Sequence, residues 1–110
     1  MQDEPTSMLY LQVTYRIRSD RLDEGQSKVQ TFTEAIRKSP PRFVSYYILR
    51  HGNNGASFVH FMSFRNHDDQ LDHMQLPHVK HFVETMLALC EQGPIYTELD
   101  GVTAIEAGTT

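Results

Sequence analysis

The stretch FVSYYILRHGNNGASFVHFMSFR, residues 43–65, decides the fold. Its two ends, 43–51 and 57–65, are rich in the aromatic and β-branched residues that are typical of strands. The glycine and asparagine residues between them tolerate the positive φ of a tight turn. The stretch therefore predicts two consecutive strands that pair as a hairpin.

A helix is predicted on each side of this hairpin. Residues 22–39 place apolar side chains at helical spacing, and a pair of prolines ends the run. After the hairpin, Asn66 is expected to be the N-cap of a short helix that must break before Pro77. Pro77 suits the first turn of a further helix, which is expected to stop at Gly93. Cys90 continues the apolar face of that helix and is predicted to be a buried core residue.

The two remaining strands are predicted at the ends of the domain. Residues 8–18 alternate between apolar and polar side chains, as in a strand that is buried on one face. Residues 95–105 form one bulged strand or two short ones, because Asp100 and Gly101 interrupt them. The order βαββαβ predicts the α+β ferredoxin-like plait, a four-stranded antiparallel sheet with the helices on one face.

Length and composition limit the chain to one domain. It has 110 residues, 39% of them hydrophobic, which is too apolar for a disordered protein. The predicted domain spans 8–105, between a disordered tail at 1–7 and a loose tail at 106–110. No apolar run approaches the ~18 to 20 residues that would cross a membrane. A single cysteine and the lack of a signal-peptide pattern predict a cytoplasmic protein.

The sheet is expected to pair with a second copy of itself. In the strand 57–65, Phe58 and Phe64 lie on one side, and Val59 and Phe61 lie on the other. Because helices cover only one face of such a sheet, the other apolar face needs a partner. The simplest partner is the same sheet of another chain, so the sequence predicts a homodimer.

The polar residues that could carry chemistry are concentrated in residues 67–82, HDDQLDHMQLPHVKHF. Here His73 is followed by Pro77 and His78, and then by Phe82. Together with the aromatic strand just upstream, this pattern resembles the antibiotic biosynthesis monooxygenase superfamily. The resemblance is strongest to its quinol monooxygenases and autoinducer-2-degrading relatives.

The resemblance covers about residues 8–105, because element order, element lengths and the broken second helix also agree. Phe64 matches the family's upstream aromatic residue. The chain departs from the family pattern at three positions. Met62 stands where members usually have Glu, Asn66 where they often have Asp, and Leu76 where a hydroxyl residue is usual.

The resemblance implies a dimeric α+β barrel, with a pocket in each subunit between sheet and helices. Members that are enzymes oxidise electron-rich phenols or quinols with O2 and use no metal, flavin or haem. A deprotonated quinol is itself a strong reductant, so the protein needs only to position it, take a proton and exclude water. The expected function is that of a cofactor-independent monooxygenase acting on a small aromatic or quinol-type substrate.

The expected site combines two catalytic residues with aromatic walls. His73 is expected to be the base or orienter and His78 the second polar contact, because histidine titrates near neutral pH. Tyr46 and Tyr47 point to opposite faces of their strand, so only one can line a pocket, and Tyr47 is preferred. The expected substrate-binding residues are Tyr47, His60, Phe64 and Phe82.

Structural roles for these residues stay open as alternatives. His73 and His78 flank the helix break, where histidines often satisfy free backbone groups. His60 lies in mid-strand, where a hydrogen-bonded core or interface histidine is the more common finding. Core packing is likewise an alternative role for Tyr47.

The same residues bear on four other functions: metal binding, haem degradation, RNA recognition and ligand binding without activity. Only His78 and His81 have the spacing of helical metal ligands, so no metal site is expected. The chain has no tryptophan, which disfavours the superfamily's haem-degrading members. An RNA-recognition module shares the βαββαβ order, but the net charge is −4 and only Phe58 could stack on a base, so no nucleic-acid partner is expected. A small-molecule-binding or structural dimer without activity is the main alternative.

Overall fold

The structure is a computed structural model that describes residues 2–4, 8–53 and 55–108. The described elements follow the order β1 Gln2–Glu4, β2 Leu9–Ile17, a 3-10 turn Ser19–Arg21, α1 Leu22–Lys38, β3 Ser45–Arg50, β4 Ser57–Phe64, α2 His67–Gln75, α3 Pro77–Leu89, β5 Cys90–Asp100 and β6 Ala104–Glu106. The main domain, β2 to β5, therefore has the predicted βαββαβ order with its second helix broken in two.

The four long strands form one antiparallel sheet in the order β3-β4-β2-β5. β3 and β4 are the predicted hairpin, while β2 lies between β4 and β5 because each helical crossover returns the chain to the far side of the sheet. The α+β ferredoxin-like fold predicted from the sequence is thus confirmed.

The core lies between the inner face of the sheet and the helices. Every second residue of β2 and β4 is buried there, as the alternation of side chains in a strand requires. The helices close the layer with one apolar stripe each. The buried apolar residues of the sheet are Leu11, Val13, Tyr15, Ile17, Phe58, Met62 and Phe64, and those of the helices are Val29, Phe32, Ile36, Val79, Phe82, Met86 and Leu89.

The outer face of the sheet has no covering layer within the described chain, yet it carries large apolar side chains. Strand register places Tyr47, Phe61 and Gln12 in one row, and Leu49, Val59 and Ile95 among the members of the next. The rings of Tyr10 and Phe61 stack on this face with centroids 5.5 Å apart. We refer to this surface as the outer face.

The last helix is shorter than the sequence pattern predicts. α3 ends at Leu89, and Cys90 has extended backbone angles and pairs with Ile17 as the first residue of β5. The prediction that the helix continues to Gly93 is wrong, because the sheet pairing starts before that residue. Gly93 has a φ of +81°, and a Cβ there would lie 2.5 Å from the Thr14 carbonyl oxygen, so a glycine is required beside the register shift of β2 and β5.

Cys90 is consequently half-buried at the rim of the core. Burial raises the pKa of its thiol to about 11, and the charge of Arg18 only partly opposes this. At neutral pH the thiol is therefore protonated, which is the unreactive form.

The ends of the chain also differ from the predicted loose tails. Gln2–Glu4 pairs antiparallel with Ala104–Glu106, so these parts are strands. The reason is topological: β2 and β5 are neighbours, and the Gly101 N–H donates to the Met8 carbonyl at 2.8 Å, which brings the flanking segments side by side. The other predicted tail residues, 1, 5–7, 109 and 110, lie outside the described residues.

Candidate active site

A buried histidine joins three strands at the centre of the inner sheet face. His60 on β4 is 2% exposed, and both of its ring nitrogens have a tyrosine partner. The Tyr15 hydroxyl on β2 lies 2.8 Å from Nε2, and the Tyr46 hydroxyl on β3 lies 2.9 Å from Nδ1. We call these three residues the tyrosine–histidine link.

Strand register produces this link. His60 lies directly opposite Val13 of β2 and Ile48 of β3. Tyr15 and Tyr46 are each two residues away from those partners along their own strands, and therefore occupy diagonal positions on the same face. Diagonal neighbours in a sheet are within reach of an aromatic side chain. The link consequently ties β2, β3 and β4 together across the core.

His73 reaches the same region from α2. The side chain is 1% exposed and lies among aromatic rings, with centroids 5.6 Å from Phe64, 5.8 Å from Tyr46 and 6.0 Å from Phe43. Its Nδ1 atom is buried without a hydrogen-bond partner. A buried polar atom without a partner is costly, and such atoms are concentrated where a ligand or a water binds.

The break between α2 and α3 sets the position of both predicted catalytic histidines. Asn66 caps α2 by accepting the Asp69 N–H at 2.8 Å, as predicted, and Pro77 begins α3. Nδ1 of His73 and Nε2 of His78 are both buried without a hydrogen-bond partner, so neither of these two atoms satisfies a free backbone group at the helix break.

A small, partly open cavity lies beside the tyrosine–histidine link. Its volume is about 30 Å³, enough for one water molecule, and Tyr15, Tyr46, His60 and His73 are among the residues that line it. Its other walls are apolar or aromatic, and include Phe32, Met62, Phe82 and Tyr96.

Two surface depressions approach this cavity from different sides. A cleft of about 700 Å³ lies between the end of α1 and β3, and Phe43 and Tyr46 line it. A groove of about 110 Å³ lies between α1 and α3 and contains His78. Tyr46 borders both the cleft and the cavity, so it is part of the wall that separates them.

Burial keeps the polar groups of this site uncharged at neutral pH. It lowers the pKa of His60 to about 4, and burial together with the nearby His78 lowers the pKa of His73 to about 4. Burial also raises the pKa of the Tyr15 and Tyr46 hydroxyls. The site therefore holds neutral imidazoles and protonated phenols among aromatic side chains. This combination suits a neutral aromatic ligand that carries a hydroxyl group.

Most of the predicted site residues meet in this region. His60 and His73 line the cavity with Phe82, and Phe64 packs against the His73 ring. His78 lies nearby but faces the groove on the other side of the stacked Phe32 and Phe82 rings, whose centroids are 4.2 Å apart.

The preference for Tyr47 is corrected by the structure. Tyr47 pairs with Phe61 on the outer face and is 55% exposed, so it does not reach the cavity. Its neighbour Tyr46 is the member of the pair on the inner face. Tyr15 was also missed as a site residue, although the alternation of the first strand places it on the apolar face. The signal that identifies both is alternation combined with strand register, and register depends on pairing over long distances.

Two further positions, Met62 and Phe58, have a bearing on the expected function. Met62, at the place of the family glutamate, is 2% exposed and forms part of the cavity wall. Phe58 is 7% exposed on the inner face, where it cannot stack on a base as an RNA-recognition module requires.

Among the described residues, no group of three or more histidine, cysteine, aspartate or glutamate side chains could hold a metal ion. No helix in the described ranges is long and apolar enough to cross a membrane.

Comparison with known proteins points to one family. The model of the family "Antibiotic biosynthesis monooxygenase" matches residues 8–85, which include the whole motif around His73 and Pro77. No curated protein matches the chain.

Solved structures share the fold at low sequence identity. A protein from Nitrosomonas europaea, described as a candidate antibiotic biosynthesis monooxygenase, is 14% identical with a TM-score of 0.75, and the match covers 89% of this chain and 93% of that one. A protein from Mycobacterium tuberculosis is 16% identical with a TM-score of 0.75, over 94% and 100% of the two chains. A conserved protein from Methanosarcina mazei is 8% identical with a TM-score of 0.75, over 86% and 93%. At such identities the likeness shows the fold alone.

The lowered histidine pKa values predict how stability depends on pH. Below pH 6.5 the unfolded chain binds protons at these histidines, whereas the folded protein does not until about pH 4. The free energy of unfolding is therefore highest above pH 6.5 and falls as the pH decreases. We expect a loss of about 1 kcal/mol per pH unit for each of His60 and His73 between pH 6.5 and 5.

Urea denaturation between pH 8 and pH 5 measures this dependence. A His73→Gln variant should lose about half of it, because one of the two buried histidines no longer titrates. A His81→Gln variant is the control, since His81 is exposed and its removal should leave the pH dependence unchanged. An equal pH dependence in the wild type and His73→Gln would contradict the burial of a neutral His73.

Proposed function

The chain belongs to the antibiotic biosynthesis monooxygenase family, and on that basis we propose that it is a cofactor-independent monooxygenase that oxidises a small aromatic or quinol-type substrate with O2. The observation that carries this proposal is the unpartnered, buried Nδ1 atom of His73 inside an aromatic enclosure. With the ring proton on Nε2, this nitrogen is an acceptor for which the described protein supplies no donor.

His73 has the properties of the base in such a reaction. It is neutral at pH 7 because burial and His78 lower its pKa, so its free nitrogen can accept a proton from a bound hydroxyl group. The same burial makes His73 a weak base, so the negative charge that forms on the bound phenolate has to raise the pKa of His73 as the proton is transferred.

The substrate itself can supply all the electrons of the reaction. Removal of the hydroxyl proton makes the quinol a strong reductant, and electron transfer to O2 then starts the oxidation. For a simple hydroquinone, quinol plus O2 gives a hydroxyquinone plus water. One oxygen atom enters the ring, and the four electrons that reduce O2 come from the substrate. The protein's contribution is to position the ring, take the proton and exclude water.

The sizes of the two spaces suggest how the substrate is divided between them. The cavity of about 30 Å³ can hold a hydroxyl group but not a ring, whereas the cleft of about 700 Å³ can hold a ring. Phe43 and Tyr46 separate the cleft from His73 and offer aromatic surfaces for stacking. In this proposal the ring lies in the cleft against these two side chains, and they move apart when it binds so that its hydroxyl group enters the small cavity beside His73.

A homodimer is part of the proposal. The outer face presents Tyr47, Leu49, Ile95 and Leu99, each between 42% and 56% exposed. An apolar surface of this kind in a protein of 110 residues is typical of an interface between subunits. The outer faces of two chains, placed against each other, would bury these side chains.

One observation favours a second candidate function. The described residues that line the cavity include no aspartate or glutamate, and Met62 is an inert part of its wall. A family member without this acid could bind aromatic molecules without oxidising them. The alternative is therefore a small-molecule-binding dimer with the same fold and pocket.

Oxygen uptake distinguishes the two functions. We expect the purified, metal-stripped protein to consume O2 with a panel of hydroquinones and polyphenols faster than a no-protein autoxidation control. His73→Ala should lower the rate by roughly 10²-fold, the usual contribution of a general base. His81→Ala, which removes an exposed histidine on α3, should keep the wild-type rate.

The assignment of the base fails if His73→Ala keeps the wild-type rate. Absence of uptake across the whole panel, with saturable binding of the same compounds, would instead support the binding dimer.

A charge on the outer face tests the homodimer. The wild type should elute from a sizing column with light-scattering detection at twice the mass of one chain. Leu49→Glu should weaken this dimer at least tenfold, because a buried, unpaired carboxylate is costly at an apolar interface. Leu87→Glu is the matched control, since Leu87 is 60% exposed on α3, away from the outer face. A wild-type monomer, or equal effects of the two variants, would contradict the proposed interface.

A further inference from the structure

The hydrogen-bond count at His60 leaves one tyrosine hydrogen free. Both ring nitrogens of His60 are hydrogen-bonded to tyrosine hydroxyls, and the ring is neutral at pH 7 because burial lowers its pKa. A neutral imidazole has one N–H and one acceptor nitrogen. One tyrosine must therefore donate to His60, while the other accepts from it and keeps its own O–H hydrogen available.

The surroundings of the two tyrosines decide which one has the free hydrogen. Tyr15 is 3% exposed, and within the described part of the chain its hydroxyl has His60 as its hydrogen-bond partner. If Tyr15 accepted from His60, its own hydrogen could find an acceptor only inside the small cavity, which Tyr15 also lines. Tyr46 borders both the cavity and the cleft, where a ligand can reach it. This contrast favours Tyr15 as the donor to Nε2, with the His60 proton on Nδ1 and Tyr46 as the acceptor.

We propose that Tyr46 is the residue that binds the hydroxyl oxygen of the aromatic substrate, by donating the hydrogen that the tyrosine–histidine link leaves free. This inference rests on the proposed function for the kind of ligand, but it concerns a different residue from the proposed base. In it, His60 and Tyr15 are positioning residues, because they hold the Tyr46 hydroxyl oxygen from behind and fix its direction.

The Tyr46 donor acts together with Nδ1 of His73, the nitrogen that has no hydrogen-bond partner. Tyr46 and His73 lie side by side, with ring centroids 5.8 Å apart, and both line the small cavity. A donor and an acceptor at one cavity match a group that both accepts and donates one hydrogen bond. An aromatic hydroxyl group does so, whereas an ether or a ketone oxygen only accepts. The pair therefore selects phenols and quinols over their methyl ethers and over quinones.

The same arrangement supports the proton transfer. When His73 Nδ1 takes the proton, the O–H bond of the substrate breaks, an N–H bond forms, and the negative charge stays on the substrate oxygen. The Tyr46 hydrogen bond to that oxygen then becomes charge-assisted and stronger. Burial raises the pKa of Tyr46, so Tyr46 remains the donor and does not lose its own proton to the phenolate.

Equilibrium binding tests this proposal without any turnover. The probes are 4-fluorophenol, its methyl ether 4-fluoroanisole, and fluorobenzene, whose binding is followed by fluorine NMR under anaerobic conditions. We expect the wild type to bind the phenol about tenfold more tightly than fluorobenzene, and the ether to fall between them.

The test variant is Tyr46→Phe, and the control is Tyr47→Phe on the outer face. Tyr46→Phe should lose most of the preference for the phenol while its affinity for fluorobenzene is kept, which shows that the pocket is intact. Tyr47→Phe should keep the wild-type preference. An unchanged preference in Tyr46→Phe, or no preference in the wild type, would overturn the proposal.

Two further measurements distinguish a failure of the Tyr46 site from a failure of the proposed oxygenase function and from misfolding of the variant. Selective phenol binding that depends on Tyr46, without O2 uptake, would leave the hydroxyl site standing and overturn only the oxygenase. If Tyr46→Phe does not fold, nitrogen-15 NMR of the wild type still decides the matter. The proposal requires the His60 proton on Nδ1, and a proton on Nε2 would overturn it.

Discussion

A histidine buried at the centre of an apolar sheet must have hydrogen-bond partners, and this constraint at His60 shapes the candidate site. The cost of burying both ring nitrogens without partners is greater than the net gain from most single contacts in a small domain. The structure meets it with two tyrosine hydroxyls from the strands on either side. The rings of both tyrosines lie in the core, and both side chains line the small cavity.

The helix break adds the second half of the site. α2 ends at Gln75 and α3 begins at Pro77, and His73 in the last turn of α2 is buried in the core from the helical layer. His73 enters an enclosure whose rings come from β3, β4 and the loop before β3, and there it finds no partner. A fully satisfied histidine on the sheet thus faces an unsatisfied one on the helix. The unpartnered nitrogen of His73 lowers the stability of the fold, which is typical of a group that is kept for a ligand.

Much of the fold could be predicted from sequence because its signals are local. Alternation in residues 8–18, the turn residues of the hairpin and the capping by Asn66 depend only on neighbours in the chain. The end of α3 could not be placed, because Cys90 fits the apolar pattern of a helix as well as that of a strand. The pairing of Cys90 with Ile17 decides between them, and these residues are distant in sequence.

The candidate site was predictable in part for the same reason. The histidine and proline spacing lies within one short segment, so His73 and His78 could be identified directly. The tyrosine–histidine link could not, since it depends on the register of three strands, and a change of one residue in register would move Tyr46 to the outer face. The choice between Tyr46 and Tyr47 has no local signal, because both are aromatic residues in the middle of one strand.

The most direct measurement is a crystal structure of the protein with a hydroquinone, grown under anaerobic conditions to prevent oxidation. The account predicts the ring in the cleft against Phe43 and Tyr46, with one hydroxyl oxygen within hydrogen-bond distance of both the Tyr46 hydroxyl and His73 Nδ1. A ring bound in the groove beside His78, or on the outer face, would contradict it.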